Sequence, residues 1–516
     1  MKIFFYLGTI LILLLQAAIA LPSSASTPDE SESVLAVEFT IRYVDVHAIG
    51  ANDGSTWQDA FTSLQPALEA AEPGEQIWVA AGTYLPTVEH CGSGERFKSF
   101  QLKQSVALYG GFDPTSGDTA WEDRDVASHL TVLDGDIDLL GDPADNSYHV
   151  FCHPDGLALD ASAILDGFTI TRGNANADNF PHYFGGGMYN ESNSPALTNI
   201  TFLHNTASIS GGGMLNNNQS NPTLVDVTFA GNTAKYGGGM YNYDYSSPTL
   251  THVTFLGNVA SYAGGMINDT NSSPTLTHVS FLSNAASNNG GGMYNDEYSS
   301  PTLIHVTFSG NTASAGGGMY SVTYSSPTLT DVTFSGNTAS YNGGGMYNYI
   351  YSSPTLTDVT FTGNTAFLNG GGMYNNISSS PTLSNITFSG NTAASGSGMF
   401  NDRGSPSLVN VTFSGNTGGG GISNQDCSPI LTNTILWGNT PDQIINDSSS
   451  IPVVTYSDIQ GGYTGTGNLD LDPKFYRAPS PGLDDVWGTP DDDYGDLRLQ
   501  PTSPVIDAGN NAAVPA

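Results

Sequence analysis

Residues 237–262, GGGMYNYDYSSPTLTHVTFLGNVASY, decide the fold, because the chain repeats variants of this stretch about ten times. Methionine marks the register at Met188, Met214, Met240, Met266, Met293, Met319, Met346, Met373 and Met399, a period of 26 or 27 residues. The aromatic of the VTF segment keeps step from Phe202 to Phe413, and Leu436 replaces it in a tenth, degenerate copy. Three residues after each stands an asparagine, from Asn205 to Asn439. A fixed period of this size means a solenoid, in which each repeat packs only on its neighbours.

Two solenoids compete for the pattern. LTHVTFLGN, residues 250–258, fits a leucine-rich repeat through Leu250, Val253, Phe255 and Asn258. That fold needs a helix or tight turn on its convex side. The other half of the repeat, ASYAGGMINDTNSSP, has glycine runs, Ser-Ser-Pro and no 3.6-residue apolar pattern, so it cannot sustain a helix. The sequence therefore predicts an all-β fold, a parallel β-helix with coils ~4.8 Å apart. Right-handed winding is the default for parallel crossovers.

Stacked coils put each residue above its copy. Leu, Val, Phe and Met are expected to form interior columns, Met as core filler rather than ligand. The Phe-x-x-Asn asparagines turn the chain and can hydrogen-bond along the axis. A second asparagine column follows Met by two residues, from Asn190 to Asn424, and Ser321 interrupts it. The residue next to Met is Tyr189, Leu215, Tyr241, Ile267, Tyr294, Tyr320, Tyr347, Tyr374 and Phe400 in turn. Strand alternation sends this column outward if Met points in. Its tyrosines then form a stripe on the order of 40 Å long at ~4.8 Å per coil, suited to glycans or surface proteins. The alternative is that the stripe packs beneath neighbouring loops.

The flanks divide the chain further. Residues 1–20, with Lys2, an apolar run from Ile3 to Leu15 and Ala18-Ile19-Ala20, have the form of a secretory signal peptide. A linker is expected over 21–38, a cap with irregular coils over 39–184, and the regular repeats over 185–440. Trp57, Phe61, Leu64, Leu68 and Ala71 fall on one face of a capping helix. Residues 441–516 are expected to form a last coil and an acidic cap or linker. No later run reaches the ~20 apolar residues of a membrane span. Twelve Lys and Arg against 48 Asp and Glu give a net charge of −36, which excludes nucleic acid as a partner. The mature chain is expected to be exported and monomeric. Cys91, Cys152 and Cys427 are too few and too scattered for a disulfide framework, and are expected as singletons with at most one bridge.

The paired GGG-Met and Phe-x-x-Asn motifs, from Gly185 to Asn439, resemble the repeats of the chlamydial polymorphic outer-membrane proteins. The N-terminal YVDVHAIGANDGSTWQDAFTSLQPALEAA and the C-terminal DLRLQPTSPVIDAGNN are similar to bacterial surface β-helix proteins of the choice-of-anchor type. These resemblances imply a right-handed parallel β-helix that is secreted, or associated with the cell surface or outer membrane. They also imply a continuation beyond Ala516. No series of ~10-residue alternating strands is present, so the translocating barrel of the polymorphic proteins is not expected here.

Parallel β-helices also host polysaccharide lyases and hydrolases, so catalysis must be argued from residues. Between Met188 and Asn439 the only Lys or Arg residues are Lys235 and Arg403, which argues against a lyase base on the repeat face. The position before Val holds Asn199, Asp226, His252, His278, His305, Asp331, Asp358, Asn385, Asn410 and Asn433. Read as an outward strand position, it stacks Asp331 and Asp358 ~4.8 Å apart, near the ~5–5.5 Å of retaining glycosidases. The plainer reading is a solvated polar position. The expected function is a non-catalytic structural or adhesive surface protein; the alternative is a polysaccharide lyase or glycoside hydrolase. Asp484, Asp485, Asp491, Asp492 and Asp493 could hold calcium, against the plainer reading of a solvated acidic loop. No other cofactor is expected.

Overall fold

Each repeat makes one coil of a parallel, all-β solenoid of about ten regular turns. The computed structural model describes residues 40–138, 141–484, 487 and 489–513. The signal peptide and linker expected over 1–38, and Asp485, lie outside the described residues. In a typical coil Met240–Asn242 forms one wall, Thr249–Thr251 and Thr254–Leu256 a second, and Val259–Tyr262 a third. Each wall pairs in parallel and in register with its copies, so Met214 lies beside Met240 and Met240 beside Met266.

The interior columns fall where the repeat predicts. Met240, Leu250 and Phe255 are fully buried, as are their counterparts in the other coils. Nine phenylalanine rings from Phe202 to Phe413 stack 4.5–4.9 Å apart and within 5° of parallel. Backbone pairing fixes that spacing, and the column lets each ring bury both faces. The three glycines before Met serve two needs. Gly237 has φ +61°, whereas a Cβ on Gly239 would lie 2.7 Å from the Gly265 carbonyl oxygen and 2.7 Å from the Phe255 ring. Only a bare backbone lets coils close over the phenylalanine column there.

Buried asparagines are affordable because they satisfy one another. From Asn205 to Asn416 each side-chain amide donates to the asparagine Oδ1 of the next coil, at 2.7–3.1 Å. From Asn232 on each also donates to a phenylalanine carbonyl one coil back, as Asn258 does to Phe229 O at 2.9 Å, and Asn205 donates to Ile170 O. The second ladder begins at His153, whose Nδ1–H donates to Asn190 Oδ1 at 2.7 Å while its Nε2 accepts from the Leu102 N–H at 3.1 Å. At Ser321 this ladder thins. Asn295 Nδ2 reaches the serine hydroxyl at 3.2 Å, and Asn348 Oδ1 beyond it has no partner.

The residue before Val corrects the sequence reading. From Asn199 to Asn433 it takes φ of 51–58° in every coil, so it is a left-handed kink and not a regular strand position. Asn, Asp and His are the types that adopt this conformation most readily, and that is why the column admits no others.

Both ends of the solenoid are covered. Helix α1 spans Leu64–Ala70 and buries Leu64, Ala67 and Leu68 on the first strands. It is shorter than the predicted 57–71. Pro66 belongs in a first turn, and the upstream residues are held in turns by Asp59, which accepts from Thr56 Oγ1 at 3.1 Å and Ala51 N–H at 2.8 Å. Trp57 leaves the helix face and packs on Tyr43, with ring centroids 4.7 Å apart. At the other end residues 463–471 fold over the last coil, where Asn468 Nδ2 donates to Val454 O at 3.0 Å. Cys91 and Cys152 are disulfide-bonded, and Cys427 is free and buried.

The acidic C-terminal segment is a strap rather than an end cap. Phe475–Arg477 and Asp496–Leu499 pair antiparallel. Trp487 and Tyr494 lie against Gly390, Tyr494 against Gly363, and Trp487 with Pro479 against Gly415, three glycines on successive coils. Ser389 Oγ donates to Tyr494 O at 2.8 Å. Among the described residues no helix is long and apolar enough to cross a membrane.

Candidate functional site

The tyrosine column leaves the methionine wall outward, as alternation requires, but most of it is covered. Tyr189, Tyr320, Tyr347 and Tyr374 are buried, with Val322, Tyr349 and Ile350 folded over the last three. The long open stripe expected from alternation is therefore not what the surface presents. Only Tyr241 and Tyr294 remain half-exposed. Val322 and Tyr349, three after their methionines, pack over the column where it is roofed, and Asp269 and Asp296 stand beside the open part.

Around the open part lies a cleft of about 650 Å³. Tyr236, Tyr241, Tyr243, Tyr262 and Tyr294 line it with Phe180, Phe184, Leu215 and Ile267, and Asn217, Asp269 and Asp296 supply its polar groups. Tyr241 donates its hydroxyl to Asp269 Oδ2 at 2.8 Å, and Tyr294 donates to Asp296 Oδ2 at 3.0 Å. The backbone places the two carboxylates on adjacent coils, because Asn268 pairs with Asn295 and each aspartate follows next in register. Burial pushes the Asp269 carboxyl above its ordinary value, and Asp296 and Glu297 add to the shift. Burial also pushes the phenols of Tyr241 and Tyr294 upward, helped by these carboxylates. Volume and aromatic lining place the cleft within the ordinary range of small-ligand sites.

The other predicted site residues are not brought into this cleft. Asp331 and Asp358 stand exposed at the left-handed kinks. Asp331 Oδ2 lies 2.6 Å from His305 Nδ1, and Asp358 Oδ1 accepts from Asn385 Nδ2 at 3.0 Å. They continue a surface ladder in which His252, His278 and His305 stack with centroids 5.2 and 4.7 Å apart. In the strap, Asp491 accepts from Leu483 N–H and Thr489 Oγ1, both at 2.7 Å. Asp492 accepts from Tyr494 OH at 3.0 Å, and Asp493 pairs with Arg477. Asp484 also has a partner. These carboxylates are occupied in shaping the strap. Among the described residues no group of three or more His, Cys, Asp or Glu is arranged to hold a metal.

Sequence reasoning missed Tyr236, Tyr262, Asp269 and Asp296. The signal was present: Tyr236 and Tyr262 sit just before the glycine runs in two successive repeats, and aspartate recurs three after Met266 and Met293. A second, exposed tyrosine ladder was also missed. Tyr298, Tyr324 and Tyr351 stack at 5.3 and 5.0 Å, so their flat faces are taken by one another.

A family model described as the Chlamydia polymorphic membrane protein (Chlamydia_PMP) repeat matches residues 331–348. That stretch holds one Phe-x-x-Asn and the GGG-Met that follows it. Among solved structures, pectate lyase Pel9A aligns with a TM-score of 0.33 and 13% identity over 92% of this chain and 93% of that one. The Azotobacter vinelandii mannuronan C-5 epimerase AlgE6 A-module aligns with a TM-score of 0.28 and 10% identity over 75% of this chain and 92% of that one. Superpositions this loose carry no inference about activity. No curated protein matches the chain significantly.

Proposed function

We propose that the chain is a non-catalytic, surface-associated β-helix protein that binds glycans through the aromatic cleft around Tyr241 and Tyr294. One observation carries the reading: along a column otherwise roofed by its own loops, these two rings are left half-open over a cavity of about 650 Å³. Rigid tyrosines with tethered hydroxyls offer flat apolar faces at little conformational cost. The polymorphic membrane protein repeat match and the signal-like residues 1–20 support a surface location. Glycan-array binding by the wild-type chain tests the proposal, with Tyr241→Ala and Tyr294→Ala as probes. The expected result is a loss of about tenfold or more in affinity for a bound glycan, with the fold retained. Equal binding by both variants rejects the cleft.

A second reading, polysaccharide cleavage, rests on one observation: Asp269 and Asp296 face an aromatic cleft, and burial raises Asp269 as a general acid requires. Release of new chain ends from a polysaccharide panel, abolished by Asp269→Asn, would establish it.

A further inference from the structure

We infer that the cleft selects glycans bearing free amines, so that ammonium groups on the sugar chain meet Asp269 and Asp296. This rests on the cleft being a glycan site and adds the charge of its ligand. The first argument is electrostatic. Two carboxylates line the cleft and no Lys or Arg does. Their described side-chain partners are neutral hydroxyls, those of Tyr241, Thr270 and Tyr294. Half-buried carboxylates on adjacent coils, without a counter-charge, disfavour one another. A cation entering between them relieves that cost.

The second argument is the direction of the hydrogen bonds. The donors of Tyr241 and Tyr294 are spent on the aspartates. Asn217 likewise spends its amide on Glu191 Oε2 at 2.8 Å, so it brings no free donor to the cleft. These groups therefore offer acceptors to a ligand. An ammonium, with three donors and no acceptor, is their complement. A neutral hydroxyl satisfies them less well, and a carboxylated sugar is repelled.

The third argument is the aromatic wall. The electron-rich face of a tyrosine attracts cations, and one cleft ring already holds one: Lys235 Nζ lies 5.1 Å from the centroid of the Tyr236 ring. Backbones one coil apart repeat at ~4.8 Å along the axis, a spacing that lets a single ammonium lie between the two carboxylates.

Calorimetry of the full chain with two hexasaccharides tests this, one of glucosamine and one of N-acetylglucosamine, in mildly acidic buffer where the amines are protonated. The glucosamine hexamer should bind about tenfold or more tighter than the acetylated one. The preference should fall with added salt and vanish in the Asp269→Asn, Asp296→Asn double variant, whose circular dichroism reports the fold. Equal binding of both hexamers overturns the amine preference but leaves the glycan reading standing. Binding of neither also overturns the amine preference, and the glycan reading is then decided by the array. A preference that survives in the folded double variant places the amine site elsewhere and overturns the assignment.

Discussion

Asn295 donates its side-chain amide to the Ser321 hydroxyl at 3.2 Å, and that shorter side chain supplies no donor to Asn348 Oδ1 of the following coil, which is buried without a partner. Ser321→Asn restores the missing rung, because Asn occupies the same place in the neighbouring coils. Satisfying one buried acceptor should stabilise the chain by about 1 kcal/mol. A shift of the urea midpoint to higher concentration, with unchanged slope, checks this; an unchanged or lower midpoint refutes it.

Position 331 tests the left-handed kink against the catalytic reading. Asp331 has φ +52°. Asp331→Asn should leave stability within about 0.5 kcal/mol, and Asp331→Gly should also be tolerated. Asp331→Val should cost roughly 1–2 kcal/mol, because a β-branched residue resists that conformation. Thermal denaturation of the three variants gives the order. A destabilised asparagine variant would point to a need for the carboxylate itself.

Two buried histidines make stability depend on pH. Burial is the main cause that lowers His153 to about 4 and His149 to about 3, from 6.5. The unfolded chain therefore binds more protons below about pH 6.5, and the stabilisation is full above that value. It declines as pH falls toward 4 for His153 and 3 for His149. The His153 share is on the order of 3 kcal/mol. His153→Gln keeps a polar, uncharged group at the head of the asparagine ladder. It should flatten the slope of stability against pH between about 4 and 6.5, measured by denaturant unfolding across that range. An unchanged slope would mean that His153 is protonated in the fold.

Gly390 and Gly336 separate backbone strain from strap contact. Their φ angles are +62° and +61°, but a Cβ on Gly390 would lie 2.7 Å from Trp487, whereas one on Gly336 meets nothing within 4 Å. Both alanine variants should lose about 1 kcal/mol to strain. Only Gly390→Ala should also loosen residues 475–513, seen as faster proteolysis of the C-terminal segment. Equal proteolysis of both variants would show that the strap does not depend on this contact.

Much of the fold was legible because one repeat, written many times, specifies the coil. Met240, Phe255 and Asn258 each announce a column, and parallel stacking then fixes every copy. The site was less legible because it lies where the copies differ. Tyr241 and Tyr320 occupy the same column, yet one is open and the other buried, with Val322 and Tyr349 packed on Tyr320 and Asp269 beside Tyr241. Period-two alternation gives a side chain's direction but not what folds over it. The same limit applied to Asp331, where residue type carried a backbone message that alternation hid. The helix was overextended because the apolar spacing from Trp57 to Ala71 was followed across Pro66.

The strap sets where this chain can change its number of coils. From Met188 to about residue 360 each coil meets mainly its two neighbours, so a whole 26- or 27-residue unit could be gained or lost there with every ladder closing again. Around Gly363, Gly390 and Gly415 the strap spans three successive coils at once, and farther along Asn510 N–H donates to Asn433 Oδ1 at 2.7 Å. A coil added or removed in that stretch would carry its contacts out of reach of residues 475–510. The upstream coils can act as an adjustable spacer, while the last ones form a block of fixed length.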